Sequence, residues 1–386
     1  MNNILIDDIA GLDNIKEQWN ALCLNNSSYE PFQCYEWHDV WIKHFLKNNR
    51  LAIVTGYCQN ELQVIAPLYL KNSKVKGVSI NKLEMIGNVY SPIRNFLCDS
   101  SSDAKREDLT SFILGRINNL PLNWDVMDLS CVPEENHLYD IMKQSVKRLR
   151  LSFLEYNCFV DWYQDTINCS WDDFFLQLPD KIRKDILYCR RRLEREGNIS
   201  FAIINSLDGL DNFVDQYYSV YSRSWQKQEN LGPNFHRDLA KMAAEKGWLR
   251  LGFLLYNGNP IAAQFWIVAN STAYILKTVY DQQYKKYSPG KLLTAEMMKS
   301  AIDSDRVTTI DYVQGDEEYK KDWTPKRRER KGILVYNTTL KGRYLSIVDR
   351  KISPLIGRNR YLRKLKQAIT AGLNPNLQNI VSQGVR

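Results

Sequence analysis

The sequence predicts a mixed α/β protein made of two like halves, each built from a β-hairpin, a strand, a helix and a further strand, followed by a basic tail. Three observations carry this: a composition that can bury a core in two domains, a pair of similar strand-turn-strand stretches half the chain apart, and positive charge gathered at the C-terminal end. The expected boundaries are residues 1–165, 166–340 and 341–386.

Of the 386 residues 44% are hydrophobic and 25% charged. That is too apolar for disorder and long enough for two domains of roughly 100–200 residues each. Asp7 and Asp8 stand where a secretory leader would carry Lys or Arg before an apolar run, and nothing later approaches the roughly 18 apolar residues of a membrane span. A soluble, cytoplasmic protein is expected. The eight cysteines show no CxxC spacing and read as reduced thiols,. The four histidines form no HExxH or HxxxH pattern, so no metal is expected,.

The repeat rests on Leu51–Leu70 and Leu249–Ile267. Each is an apolar strand, a polar turn after a tyrosine (Tyr57, Tyr256) and a second strand containing Ile-Ala. Asn257-Gly258 suits a two-residue hairpin loop, which favours φ > 0 at both positions. The echo continues in order: Tyr90-Ser91-Pro92, a helical stretch to Ile117 and the strand Val126–Leu129 are answered by Tyr287-Ser288-Pro289, the helix Leu292–Ile302 and Thr309–Tyr312. Preserved order at a near-constant offset points to duplication.

Between the halves, Trp171–Gly197 predicts a basic helix with Ile182, Ile186, Leu187 and Leu193 among its cations,. Those cations read either as a solvated face or as partners of a phosphate-bearing ligand. The next helix, Leu210–Gln228, places Tyr217, Val220, Tyr221 and Trp225 on one side, core residues first and a substrate platform second.

The segment Tyr274–Ile302 predicts a strand, a loop with Pro289-Gly290, and a helix. A helix start of this kind binds anions through unpaired N–H groups, with Lys285, Lys286 and Lys291 adding charge; it also occurs as an ordinary connection. It is neither a Walker A loop nor a GxGxxG fingerprint. The strand Ile310–Val313 then runs into Gly315, Asp316, Glu317, Tyr319 and Lys320, where an α/β site would gather ionisable groups. Asp316 as a helix cap is the competing reading.

The net charge is +8, yet Lys326–Arg386 alone carries +13, leaving −5 on the rest. Arg358, Arg360, Arg363, Lys364 and Lys366 surround Leu362, Leu365 and Ile369 at helical spacing. They predict a basic amphipathic helix, either packed by one edge on the core or lying on an anionic membrane or membrane synthase. No pattern for specific DNA binding accompanies the charge.

At Lys181–Gly197, Trp225, PIAAQF (Pro260–Phe265), Leu276–Leu293 and Ile310–Trp323 the chain resembles the GNAT-type acetyltransferases of the CelD/BcsL-like group linked to bacterial polysaccharide synthesis, relatives of the FemAB peptidoglycan amino-acid transferases. The resemblance covers Trp171 to about Tyr336. It implies two tandem GNAT-like folds, each a mixed, mostly antiparallel sheet with flanking helices, and an acyl-CoA donor, acetyl-CoA foremost, held in the C-terminal one by Tyr287, Ser288, Gly290, Lys291 and Leu292. The GNAT pyrophosphate motif [QR]xxGx[GA] is reduced to one glycine here, which leaves another acyl thioester or a charged tRNA open as donor.

Direct acyl transfer needs a base for the acceptor and an acid for the leaving thiolate. Asp316 is the candidate base with Asp281 as substitute, Tyr319 or Tyr284 the acid, and Lys320 a charge stabiliser. Trp225, Tyr221 and Lys277 are the candidate acceptor-binding residues, for a sugar, nucleotide-sugar or envelope polysaccharide precursor. A catalytically silent adaptor on a membrane synthase is the alternative.

Overall fold

Asn257 and Gly258 both take positive φ (48° and 78°), as do Gln59 and Asn60 (51° and 67°), so each half contains a tight hairpin with the backbone such loops require. The computed structural model describes residues 1–352 except 27, 28, 100, 101, 135, 136, 227, 228, 230 and 233. The five tail cations from Arg358 to Lys366 lie outside the described residues, and with them the predicted amphipathic helix.

The first half runs β1 (Asn2–Ile6), α1 (Ile9–Asn14), α2 (Lys16–Leu24), α3 (Tyr35–Trp41), β2 (Arg50–Leu51), β3 (Ile53–Cys58), β4 (Glu61–Ala66), β5 (Leu68–Val75), β6 (Val78–Met85), β7 (Leu97–Cys98), α4 (Asp103–Asn119), β8 (Val126–Val132), α5 (Leu138–Arg148) and β9 (Ser152–Gln164). The second runs α6 (Trp171–Gln177), α7 (Asp180–Glu196), β10 (Ile199–Ile204), α8 (Leu210–Ser222), α9 (Phe235–Glu245), β11 (Leu249–Tyr256), β12 (Asn259–Ala269), β13 (Thr272–Tyr280), α10 (Pro289–Asp303), β14 (Thr309–Asp311), β15 (Lys326–Tyr336) and α11 (Leu340–Ile347). The predicted basic helix is thus two helices, because Pro179 cannot donate within a continuous helix and instead starts α7,. The aromatic helix ends at Ser222, which leaves Trp225 in the loop beyond it.

The halves share a topology. In each, antiparallel strands lead to one parallel pair, β6 with β8 and β13 with β14, with a helix (α4 or α10) connecting the two parallel strands. The closing strands are exchanged: β9 of the first half pairs with β14, and β15 of the second pairs with β8. β9 and β15 also pair with each other along eleven positions, from Lys326↔Tyr163 to Tyr336↔Ser152. The sheet order is therefore β10-β11-β12-β13-β14-β9-β15-β8-β6-β5-β2, one continuous sheet across both halves, with β1-β3-β4-β7 beside it. The offset between matching strands shrinks along the chain, a correction to the near-constant spacing read from the sequence; the connections differ in length while the strands do not change order.

Two of the charges assigned to the basic tail belong to this seam. Arg328 and Arg330 rise from β15 into buried ion pairs with Asp161 of β9, Arg328 also reaching Asp311 of β14. The largest core cluster is likewise shared, joining Trp19, Trp37 and Trp41 of the first half to Tyr217, Phe235 and Phe253 of the second. A second cluster lies under α7 and α10, with Ile182, Ile186, Cys189 and Leu193 facing inward at helical spacing,. Among the described residues no helix is long and apolar enough to cross a membrane.

Candidate active-site cleft

β13 and β14 are parallel partners for only three positions, Thr272↔Thr309 to Tyr274↔Asp311. Beyond that point they part: β13 stays on β12, while the chain after β14 follows β9 through Tyr312 N–H to Trp162 O (2.9 Å) and Gly315 N–H to Val160 O (2.9 Å). Val313 (φ 50°) and Gly315 (φ 111°) make the bends, and Asp311 holds the first by accepting the Val313 N–H at 2.6 Å. The wedge between the strands is a cleft of about 400 Å³ lined by Ile275–Thr278, Tyr312–Gly315, Glu317, Tyr319 and Lys320, and closed above by Val89, Tyr90, Trp225, Gln226 and Glu229.

Glu229 is the carboxylate of its roof; Glu317, the other carboxylate in the lining, is paired with Lys320 at 2.7 Å. It accepts from Lys277 Nζ (2.7 Å) and from the Tyr90 hydroxyl (2.9 Å), while its own N–H donates to Tyr221 Oη (3.2 Å). Tyr90 also meets His236 Nε2 (2.6 Å), and Tyr218 Oη meets His236 Nδ1 (3.1 Å). Burial, with Lys277 nearby, pushes His236 down to about 3, so the ring is neutral. One consistent proton order runs Tyr218 O–H to Nδ1, Nε2–H to Tyr90 Oη, and Tyr90 O–H to Glu229. Tyr90 comes from the first half and His236 and Glu229 from the second, so the constellation needs both.

The first half has the same wedge, between β6 and β8, but it is filled. Arg94 N–H donates to Cys131 O (3.1 Å), and the Arg94 guanidinium reaches Ser130 Oγ, Ser91 O and Asn88 O. The segment that plugs this wedge is the one that delivers Tyr90 to the other.

The residues predicted from the sequence fall in three places. Tyr319, Lys320 and Lys277 line the cleft, and Trp225 stands on its rim with 64% of its surface exposed. Burial and Glu317 push the Tyr319 hydroxyl above its usual range, so it holds its proton. Lys320 is buried and donates to the carbonyls of Gln314 and Gly315, pinning the bend. Tyr221 is core, touching the site through its hydroxyl and through its ring, over which Lys277 Nζ sits 5.1 Å from the centroid.

Asp316 points elsewhere: it is exposed, bound by Arg327 (3.1 Å) and by Trp162 Nε1 (3.0 Å), and Arg327 holds it below the usual carboxylate range, which weakens it as a base. Asp281 is buried against Arg223 (2.7 Å) and caps the turn at Gln283, a structural task, and the Tyr284 ring packs against Tyr256 at a tilt of 57°. Ser288 precedes α10 in the left-handed region (φ 49°) and its carbonyl takes the Lys291 and Leu292 N–H groups. Gly290 lies inside α10, where a Cβ would meet the Tyr280 ring at 3.3 Å, so its lack of a side chain lets the helix approach β13. Two of the three loop cations are paired, Lys291 with Asp185 and Lys286 with Glu196 (3.9 Å), and the Tyr287 hydroxyl also bonds Glu196. Beside them a basic groove of about 440 Å³ runs along α7, lined by Lys184, Leu187, Tyr188, Arg191, Arg192 and Arg195.

Sequence reading missed Glu229, Tyr90 and His236. They lie in a loop, in the other half, and in a helix with no motif around them.

Residues 180–321 match the model of an acetyltransferase (GNAT) domain. A search of curated proteins finds no match. Among solved structures the chain is similar to FemX (13% identity, TM-score 0.58, covering 87% of this chain and 98% of that one). It is also similar to the C-terminal DUF2156 domain of a putative lysylphosphatidylglycerol synthetase from Agrobacterium fabrum (10% identity, TM-score 0.53, 87% and 97%). A tandem GNAT protein from the clavulanic acid biosynthesis pathway aligns at 9% identity and TM-score 0.44, covering 86% and 98%. Residues 180–321 therefore carry a GNAT-type acetyltransferase domain.

Proposed function

We propose that the cleft transfers an acyl group, acetyl foremost, from a CoA thioester directly to an amine or hydroxyl of a sugar or envelope polysaccharide precursor, with Glu229 as the general base. The observation that carries this is a carboxylate in the roof of the strand wedge, fixed by Lys277 and Tyr90. The thioester supplies the activated acyl group. β13 loses its parallel partner beyond Tyr274, which leaves strand edge for an amide-bearing arm to pair with. Gln226 Nε2 already donates to Thr278 O there (3.1 Å), and its Oε1 is buried without a partner. The wedge takes the acyl end of such a donor; with Lys286 and Lys291 of the α10 loop already paired, the cations of the α7 groove supply most of the charge for its phosphates.

Within the site Glu229 takes the proton of the acceptor and Tyr319, still protonated, returns one to the leaving sulfur. Lys320 keeps the Gln314–Gly315 bend in shape. Trp225 offers an exposed indole at the rim, a stacking surface for a sugar ring. The tandem arrangement, the resemblance to polysaccharide-linked acetyltransferases and the basic tail support a cytoplasmic enzyme held at the inner membrane face.

Aminoacyl transfer from a charged tRNA is the second reading, favoured by the cationic α7 groove. Incubating the full chain with acetyl-CoA and a panel of amino sugars, nucleotide-sugars and lipid-linked sugars, with thioester loss and product mass as readouts, tests the proposal. Turnover with aminoacyl-tRNA and none with any acyl-CoA would replace it.

A further inference from the structure

Cys131 and Cys158 sit together in the filled wedge of the first half. Cys131 takes a left-handed backbone (φ 59°) in β8, and its N–H donates to Cys158 Sγ on β9 at 3.1 Å. Two thiols on strands separated by β15 meet because both neighbours bulge against it: β8 carries one residue more than β15 between Leu129 and Val132, and Cys158 is itself the extra residue of β9 between Asn157 and Phe159. Arg94 stands beside them. Its guanidinium hydrogen bonds go to a hydroxyl and two carbonyls, all neutral, and among the described residues no carboxylate lies within ion-pair distance of it. Asp128, the acid nearby, is engaged by Lys82 (2.7 Å) and by Tyr156. A buried cation without a carboxylate favours a thiolate as its counter-charge.

We propose that Cys131 and Cys158 are a redox modification site whose ligand class is a hydroperoxide and whose product is an intramolecular disulfide. The Cys131 thiol is the attacking one, pulled below its ordinary range by the Cys158 hydrogen bond and, against its burial, by Arg94; Cys158 holds its proton more tightly. The Cys131 thiolate attacks one peroxide oxygen, the O–O bond breaks, hydroxide leaves and Cys131 becomes a sulfenic acid. Cys158 gives up its proton and attacks that sulfur, the S–S bond forms and water departs. Overall two thiols lose two electrons and two protons, and hydrogen peroxide becomes two waters.

The site reads out on the cleft. Arg94 fastens Asn88 and Ser91 through their carbonyls, on either side of Tyr90, and Tyr90 holds Glu229 and His236. A disulfide removes the charge that balances Arg94, so the segment 88–94 loosens and Tyr90 with it.

The test uses the full chain and does not depend on the proposed activity. After hydrogen peroxide, intact mass and peptide mapping are expected to show a Cys131–Cys158 crosslink with two hydrogens lost, reversed by dithiothreitol. Cys158→Ser is expected to stop at a sulfenic acid on Cys131, trapped by dimedone, and Cys131→Ser to form no crosslink. Hydrogen exchange in segment 88–94 should be faster by roughly tenfold in the oxidised protein. Oxidation confined to the exposed Cys58, or a crosslink that survives in either serine variant, overturns the site. Unchanged exchange in segment 88–94 of the crosslinked protein overturns the coupling to the cleft.

Discussion

Replacing Glu229 with Gln is the sharpest probe of the cleft. The side chain keeps its size and one carbonyl oxygen, so a hydrogen bond from Tyr90 (2.9 Å) or Lys277 (2.7 Å) survives, but the charge is gone. Two effects then need separating. Lys277 loses its carboxylate with only 14% of its side chain exposed, and leaving such a group unpaired costs about 1–3 kcal/mol of stability. If Glu229 is the base, turnover falls at least about a hundredfold, about 2.7 kcal/mol of barrier. The stability loss is read by thermal unfolding, and the chemistry by thioester consumption at saturating donor and acceptor in protein shown to be folded. Donor binding should change little, because the wedge walls are β13 and the Tyr312–Gly315 bend. A folded E229Q variant that turns over within about threefold of the parent refutes the assignment.

Four more perturbations separate roles. Asp316→Asn should leave turnover nearly unchanged while removing the Arg327 pair, which at the surface is worth about 0–1 kcal/mol,; a hundredfold loss would return it to the mechanism. Trp225→Ala should raise the acceptor KM with kcat largely kept, measured by acceptor titration, if the exposed indole stacks on the acceptor. Gly342→Ala should destabilise by about 1–3 kcal/mol, seen as a lowered Tm, because a Cβ there would lie 2.4 Å from Asn337 O and 2.7 Å from Asp125 O. Glu84 concerns pH: burial alone would raise it, but Lys82, Lys71 and Tyr69 hold it at about 2 against an ordinary 4.5. Its depressed value means that its contribution, about 3 kcal/mol at most, is present above pH 4.5 and is lost as pH falls toward 2. The stability difference between the parent and Glu84→Gln, followed by denaturant melts, should shrink across that window; a constant difference would show that the ion cluster is not what lowers the carboxyl.

The hairpins and the order of hairpin, strand, helix and strand in each half were legible because they are local: a turn dipeptide, alternating apolar residues and a breaker-free helix need only neighbours in sequence. Tyr319, Lys320, Lys277 and Trp225, singled out in the sequence, line one cleft because they flank a strand end or follow an aromatic helix and the wedge lies beside them. That Asp316 lies outside this cleft was not legible, because a sequence does not say which cation a carboxylate will face, and Arg327 is set opposite it only by the β15 pairing with β9.

By itself the sequence determined the two like-built halves, the strand that carries the cleft and the basic helix between them. Only the tertiary structure decided that the closing strands are exchanged, that one wedge is open while Arg94 and its neighbours fill the other, and that Tyr90, Glu229 and His236 form one hydrogen-bonded unit. The physical reason is range. Turns and helices are settled by backbone preferences over a few residues, whereas Tyr90 and His236 are brought together by burial of a core to which both halves contribute, and no periodicity in the chain records which distant side chains that burial will join,.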